Sequence, residues 1–221
     1  MGRILTISSS KGGVGKTVLV TCLAPHLARL GYSVGVIDAD PNCPFAAWYS
    51  NYKGPAFRCA AEAGDVAVVD LAQDWAEELD VVLVDTAGFG NLTAAAAMGA
   101  SDWVLVPVMP DRGSTREAAR TVAKATSLAR AARRPIKASV VLSQWRHGGI
   151  AERAALEDLA DFKVSDLLRT TLPDRTVLRQ MGFDSSGSLS AALRAILDDL
   201  VAELVEIGAI EKVSTRQERA V

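Results

Sequence analysis

Cysteine and histidine are scarce in this chain, which has three of the first and two of the second. Cys22, Cys43 and Cys59 are odd in number and show no C-x-x-C spacing. That excludes a disulfide framework and a cysteine-based zinc site, and it fits a reducing, cytoplasmic compartment. No apolar run reaches the roughly 18 residues of a spanning helix, and no signal-peptide core follows the N-terminus. Charge of one sign is lacking too: 24 Lys and Arg stand against 26 Asp and Glu, a formal −2. The whole molecule therefore exerts no pull on nucleic acid or anionic membrane, and any such binding must come from a local patch. Repeats, low-complexity tracts and linkers are absent from the sequence. With 49% hydrophobic residues in 221, a single globular domain spanning 1–221 is expected, its tail 212–221 frayed.

Two short matches carry no weight. Met1-Gly2-Arg3-Ile4-Leu5-Thr6 fits a myristoylation pattern, but a strand starts at once and leaves no tail. Asn91-Leu92-Thr93 fits a glycosylation acceptor, which has no use in a cytoplasmic protein.

What is present is concentrated near the start. Arg3 to Ser8 is short, apolar and β-branched, the pattern of a buried strand. Val18, Leu19, Leu23, Leu27 and Leu30 recur at helical spacing and Gly31 ends the run. Between strand and helix lies Ser10-Lys11-Gly12-Gly13-Val14-Gly15-Lys16-Thr17. A glycine-rich turn entering a helix gathers backbone N–H groups and the positive end of the helix dipole at one point, which suits a polyphosphate. Lys16 adds a charge for the β and γ oxygens, and the Thr17 hydroxyl is placed to ligate Mg²⁺. The bland alternative, a tight turn with a surface lysine, does not call for three glycines around Gly-Lys-Thr.

Further strands end in acids. Ser33 to Ile37 leads into Asp38-Ala39-Asp40-Pro41-Asn42, and Val81 to Val84 leads into Asp85-Thr86-Ala87-Gly88. Acids at strand C-termini face the crevice where α/β sheets bind ligands. An apolar strand ending in Asp downstream of such a loop is the Walker B arrangement, with Asp85 holding Mg²⁺ directly or through water. Residues 57–61, Trp103 to Val108, Ala138 to Leu142 and Val164 to Leu172 read as further strands. Residues 65–79 and Pro44 to Tyr52 read as helices, the latter with Phe45, Trp48 and Tyr49 toward the core. Alternation throughout predicts an α/β fold, a mostly parallel twisted sheet with helices on both faces, and the loop ending in Lys16-Thr17 makes it of P-loop NTPase type.

From Arg112 to Lys137 the chain is unusually basic, with Glu117 its single acid. Arg116, Arg120 and Lys124 are spaced by four and share a helical face, with Ala118, Val122, Ala125 and Ala129 toward the core. Such a face is either merely solvated or a non-specific DNA-backbone patch. The last helix carries Leu189, Leu193, Ile196, Leu197, Leu200, Leu204 and Ile207 on one stripe, with Asp198, Asp199, Glu203 and Glu206 outside it. A membrane-surface helix would show Lys and Arg there, so no membrane contact is expected. His147 sits alone beside a glycine pair and is assigned no role.

Written Lys-Gly-Gly-Val-Gly-Lys-Thr, the loop resembles the deviant Walker A motif of the ParA/MinD family of ATPases, and Asp38–Asn42 and Asp85–Gly88 resemble its two switch segments. The resemblance is closest to small ParA-type partitioning ATPases. It implies an ATP- and Mg²⁺-dependent homodimer in which Lys11 reaches the partner's phosphates. Lys11, Lys16 and Asp40 are then catalytic, Asp40 orienting the attacking water. Gly12, Gly13, Val14, Gly15, Thr17, Val18 and Pro173 join both lysines at the nucleotide, and Thr17, Asp38 and Asp85 serve the metal. Val18 stands where relatives carry Ser or Thr, and Ser143-Gln144 where many carry an adenine-reading Asn. The chain starts directly at its first strand, so the N-terminal DNA-reading extension of larger relatives is expected to be missing. The implied function is a switch that binds DNA non-specifically, partitions DNA or another cargo, and hydrolyses ATP when a ParB-like adaptor stimulates it. DNA candidates are Arg116, Arg120, Lys124, Arg169, Arg175 and Arg179. The competing readings are a MinD-like membrane-associated ATPase, and a ligase of dethiobiotin-synthetase type that would leave Lys11 without a role. An iron–sulfur reductase relative would need cysteines beyond residue 59, and there are none.

Overall fold

The computed structural model describes residues 1–88, 91–173, 186–187 and 189–213. Strands and helices alternate: β1 (Arg3–Ile7), α1 (Lys16–Arg29), β2 (Val34–Ala39), α2 (Pro44–Tyr49), β3 (Arg58–Ala61), α3 (Asp65–Glu78) and β4 (Val81–Thr86). There follow α4 (Leu92–Ala100), β5 (Trp103–Val108), α5 (Arg112–Ala132), β6 (Lys137–Leu142), α6 (Ile150–Asp161) and α7 (Ala191–Glu206). The six strands form one parallel sheet in the order β3-β2-β4-β1-β5-β6.

The strands are near-continuous apolar runs because both faces of the sheet are covered. Successive residues point to opposite faces. Leu5, Ile7, Leu83 and Leu105 meet Leu19, Leu23 and Leu27 of α1 and Leu197, Leu200 and Leu204 of α7. On the other face, Ile4, Val82 and Val84 meet Val68, Ala72 and Ala76 of α3. Val104, Val106 and Val140 there meet Ala118 and Ala125 of α5 and Leu159 of α6. Phe45 is fully buried and Trp48 nearly so, in a ring cluster with Tyr49, Tyr52 and Phe57. Gly2 is packed: its N–H donates to the Ala76 carbonyl at 2.6 Å, and an added Cβ would lie 1.9 Å from the Leu79 carbonyl.

Three expectations shift. The helix read to Tyr52 ends at Tyr49, and Leu189 and Ile207 lie just outside α7 at its two ends. Val164 to Leu172 is not a strand; it touches β6 at intervals, with a bridge pairing Leu167 to Val140. Glu203 of α7 explains why. Its carboxylate accepts the Thr170 N–H at 2.9 Å, the donor that a ladder joining Leu168 and Leu172 to β6 would need, and the outward Arg169 N–H at 2.6 Å.

Parallel pairing fixes what lies at the strand tips. Asp38 is in register with Asp85 on neighbouring β2 and β4, and Ile7 of β1 flanks Asp85 from the other side. The loop after β1 is thereby set between the acidic tips.

Candidate functional site

The loop from β1 to α1 depends on two glycines: Gly13 and Gly15 have φ of 76° and 94°, in the left-handed region that side chains disfavour. A Cβ on Gly12 or Gly13 would meet nothing within 4 Å, so the backbone there faces open space. Gly15 caps α1 and supplies no side-chain acceptor, so no cap side chain competes for the first-turn N–H groups. Val14 is fully buried and anchors the loop, and Val18 packs against the core beneath α1.

Lys16 is buried, and its ammonium donates to the Ser9 and Lys11 carbonyls, both at 3.3 Å. Burial pulls its pKa down, while Asp85 and Asp40 oppose that. Those carbonyl bonds are long, and a polyphosphate is a stronger acceptor for a charged donor.

Asp85 stands out among the described residues. It is completely buried, and neither carboxylate oxygen has a hydrogen-bond partner. Burial pushes its pKa up to about 7; the Thr17 hydroxyl and Lys16 pull against that, and Asp38 and Asp40 add to it. The Thr17 hydroxyl is near enough to act on the carboxylate without completing a bond to either oxygen. A buried, unsatisfied carboxylate is expensive unless a cation joins it. Asp85 with the Thr17 hydroxyl is an all-oxygen donor set that fits Mg²⁺, a hard cation that usually keeps waters and substrate phosphates in its shell. Among the described residues no cluster of three His, Cys, Asp or Glu forms a closed metal cage.

Asp38, equally buried, is satisfied. One oxygen accepts the Asp40 N–H at 3.2 Å and the other the Ala46 N–H at 2.8 Å. Burial still raises its pKa against those amides. Its geometry is that of a residue holding the Asp40 turn and the start of α2. Asp40 in turn accepts from the Asn42 N–H and side-chain amide at 2.9 and 3.0 Å. Gly88 closes the other side: a Cβ there would lie 3.5 Å from Gly12 and 3.6 Å from the Lys16 ammonium. Loop, Asp40 turn and Asp85–Gly88 thus converge on one point, as their sequence spacing predicts.

Lys11 points elsewhere. Its ammonium pairs with Asp111, the cap of α5. Sequence reasoning missed Asp111, although Asp111-Arg112-Gly113-Ser114 opening a basic helix is an N-cap signal. Gln144 at the tip of β6 donates to the Gly13 carbonyl at 3.3 Å, and Ser143 lies 3.0 Å from where a Gly15 Cβ would sit. Pro173 is placed beside Trp145, the residue after Gln144.

The proposed basic face separates into groups. Arg116, Arg120 and Lys124 are all exposed on α5, with Ala118 and Ala125 buried beneath them. Arg120 pairs with Glu117 at 2.6 Å, whereas Arg116 and Lys124 form no ion pair among the described residues. Arg134 is structural, donating to the Gly99 and Ser101 carbonyls and pairing with Asp102 at 3.6 Å. Arg169 is held by Glu203 at 3.3 Å and by Glu206, so its charge is offset locally. Arg175 and Arg179 lie outside the described residues. His147 bonds Thr171 at 3.1 Å in a surface loop.

Comparison with known proteins agrees with this fold. The family model described as VirC1 protein matches residues 2–206. Protein virC1 of Rhizobium radiobacter is 32% identical over 113 residues, covering 48% of this chain and 49% of that protein. Protein ParA of Rhizobium radiobacter is 28% identical over 108 residues, with the same coverage of 48% and 49%. The chain thus spans about half the length of the curated relatives it matches. An ATP complex of Cyanothece McdA superposes with a TM-score of 0.77 at 15% identity, covering 97% of this chain and 99% of that one. At that identity the likeness is one of fold.

Proposed function

The chain belongs to the VirC1 family, within the ParA/MinD family of ATPases, and on that footing we propose that it is a single-domain ATPase working as a nucleotide-dependent dimerisation switch. The reaction is ATP plus water to ADP plus phosphate. The observation that carries this reading is Asp85, buried with both oxygens unpartnered beside Thr17 and Lys16.

In this reading the N–H groups of 12–17 and the Lys16 ammonium take the β and γ oxygens. Thr17 and Asp85 hold Mg²⁺, which when bound neutralises phosphate charge. Asp38 acts on the metal shell through its place beside Asp85 and by fixing the turn that carries Asp40. Asp40 orients the attacking water. Lys11 serves the partner's phosphates, Val18 offers its backbone N–H while its side chain packs on the core, and Pro173 and Gln144 border the base. The two-subunit form binds DNA without sequence preference through Arg116, Arg120 and Lys124, and an adaptor of ParB type stimulates hydrolysis. Proteins that gain a transition-state cation in trans accelerate by about 10³–10⁵, which leaves slow turnover alone.

A ligase of dethiobiotin-synthetase type would leave Lys11 without a role at the nucleotide, and the pairing of Lys11 with Asp111 inside one chain is compatible with either reading. A membrane-bound form is disfavoured by α7, whose exposed positions include Asp198, Asp199 and Glu206. The deciding experiment is sedimentation of the hydrolysis-blocked Asp40→Ala chain with saturating ATP and Mg²⁺. A shift from monomer to dimer is expected with ATP and absent with ADP; a monomer throughout overturns the reading.

A further inference from the structure

The turn between β5 and α5 holds a contact that no catalytic step uses. The Lys11 ammonium donates to Asp111 Oδ1, 100 residues away in the chain. The same oxygen accepts the Ser114 N–H at 3.0 Å and so caps α5. Gly113 leaves the room for this: a Cβ there would lie 3.2 Å from Asp111 Oδ1 and 3.4 Å from the Lys11 ammonium. Glycine one residue into a helix is otherwise unfavourable, and here it admits the lysine. Burial raises the Asp111 carboxyl, but Lys11 and the Ser114 and Gly113 N–H groups outweigh that and hold it below the ordinary carboxylate range. The Lys11 carbonyl is meanwhile tied to Lys16. One chain of contacts therefore runs from the phosphate loop through Lys11 to the helix that carries Arg116, Arg120 and Lys124.

We infer that Asp111 is a positioning residue: it parks Lys11 at the start of α5 in the nucleotide-free chain, and pairing of two subunits must first take the lysine away from it. The coupling to dimerisation rests on the reading above; the contact itself does not. A lysine ammonium held by Asp111 cannot at the same time reach a partner's phosphate, so the two acceptors compete. When Lys11 leaves, Asp111 keeps its Ser114 bond and α5 stays capped. The carboxylate then stands uncompensated next to Arg112, at the end of the basic face. Nucleotide state is thereby passed to α5 as a change of charge, with no change of fold required.

The test uses Asp111→Asn, which keeps a cap acceptor of similar strength and removes the charge that holds Lys11. In the Asp40→Ala background, the variant should dimerise with ATP and Mg²⁺ more tightly. A half-exposed ion pair lost in each of two subunits corresponds to about two- to thirty-fold. A merely structural Asp111 would change melting temperature and leave that constant where it was. In parallel, pulse acetylation of the nucleotide-free chain with acetic anhydride, read by peptide mass spectrometry, reports Lys11 directly. Lys11 should label several-fold faster in the variant, with Lys124 and Lys163 unchanged as references. Equal Lys11 labelling overturns the contact. Faster labelling without tighter dimerisation overturns the positioning role. If neither chain dimerises, the switch reading falls and takes the coupling with it, and the labelling still decides the contact.

Discussion

Charge is handled in opposite ways at the strand tips and on the outer helical face. At the tips it is buried and concentrated in single atoms: Asp38, Asp85 and Lys16 are all under a tenth exposed. On the outer face it is exposed and sorted by sign. From Cys59 to Asp111 there is no Lys, Arg or His but ten acids, and α3 turns Asp70, Asp74 and Glu77 outward. From Arg112 to Lys137 there are eight cations against Glu117. Helices α3 and α5 cover the same side of the sheet with α4 between them. A net charge of −2 conceals this division. The lesson is that the buried charges act singly, because low dielectric and lost solvation magnify each one. The exposed ones act collectively, because water and salt reduce each to a small term.

That contrast can be broken by measurement. The largest effect belongs to Asp85→Asn. Affinity for Mg²⁺·ATP should fall on the order of 100-fold, the ~3 kcal/mol scale of removing one partner from a buried charge pair; titration of a fluorescent ATP analogue checks this. The same variant has a pH signature without metal. Asp85 is raised from its ordinary 3.8 to about 7, so over that window the folded chain holds a proton that the unfolded chain has released. In EDTA, stability of the parent should therefore fall as pH climbs through that range, at most ~1.4 kcal/mol per pH unit. Thermal melts of Asp85→Asn should lack that fall, and a parent curve that instead rises would count against the buried, unsatisfied state.

Next comes the triple reversal Arg116→Glu, Arg120→Glu and Lys124→Glu. DNA affinity with ATP should drop at least ~10-fold, and the slope of log K against log salt should shrink by about 5, three contacts being lost from each of two subunits. A single Arg116→Ala sharpens the comparison further: about two- to five-fold, with a slope change near 2, one contact from each subunit. Should that one substitution weaken DNA binding as much as Asp85→Asn weakens nucleotide binding, the division between single and collective charges is wrong. The smallest effect is expected at Arg169→Ala, less than about two-fold in DNA affinity, because Glu203 and Glu206 already offset that guanidinium. A loss comparable to that of Arg116→Ala would return Arg169 to the DNA face.

The site was largely legible because its parts are local words. A loop of Gly12, Gly13 and Gly15 before Lys16-Thr17 has a fixed backbone meaning, and an apolar strand ending in Asp85 places that acid at the same end of the sheet. The strands at 81–86 and 103–108 agree with their sequence reading to within a residue or two, since burial on both faces leaves a continuous apolar run. What could not be read involved residues distant in sequence. Val164 to Leu172 has strand-like composition, yet Glu203 on α7 takes its backbone donors. Arg169 reads as an open cation in the sequence, and the same helix brings two carboxylates to it. Asp38 and Asp85 looked alike as acids at strand tips, and their different states emerged from which backbone amides lay within reach.

By itself, the sequence determined the parallel α/β layering, the glycine loop before Lys16, and the charge division between residues 59–111 and 112–137. Each follows from periodicity, glycine conformation or composition, which act over a few neighbouring residues. Tertiary structure alone decided which charges are satisfied: Asp85 orphaned, Asp38 bonded, Arg169 neutralised and Lys11 seated on Asp111. A charge's energy depends on every group and water within several ångströms, and those neighbours come from segments that only folding brings together.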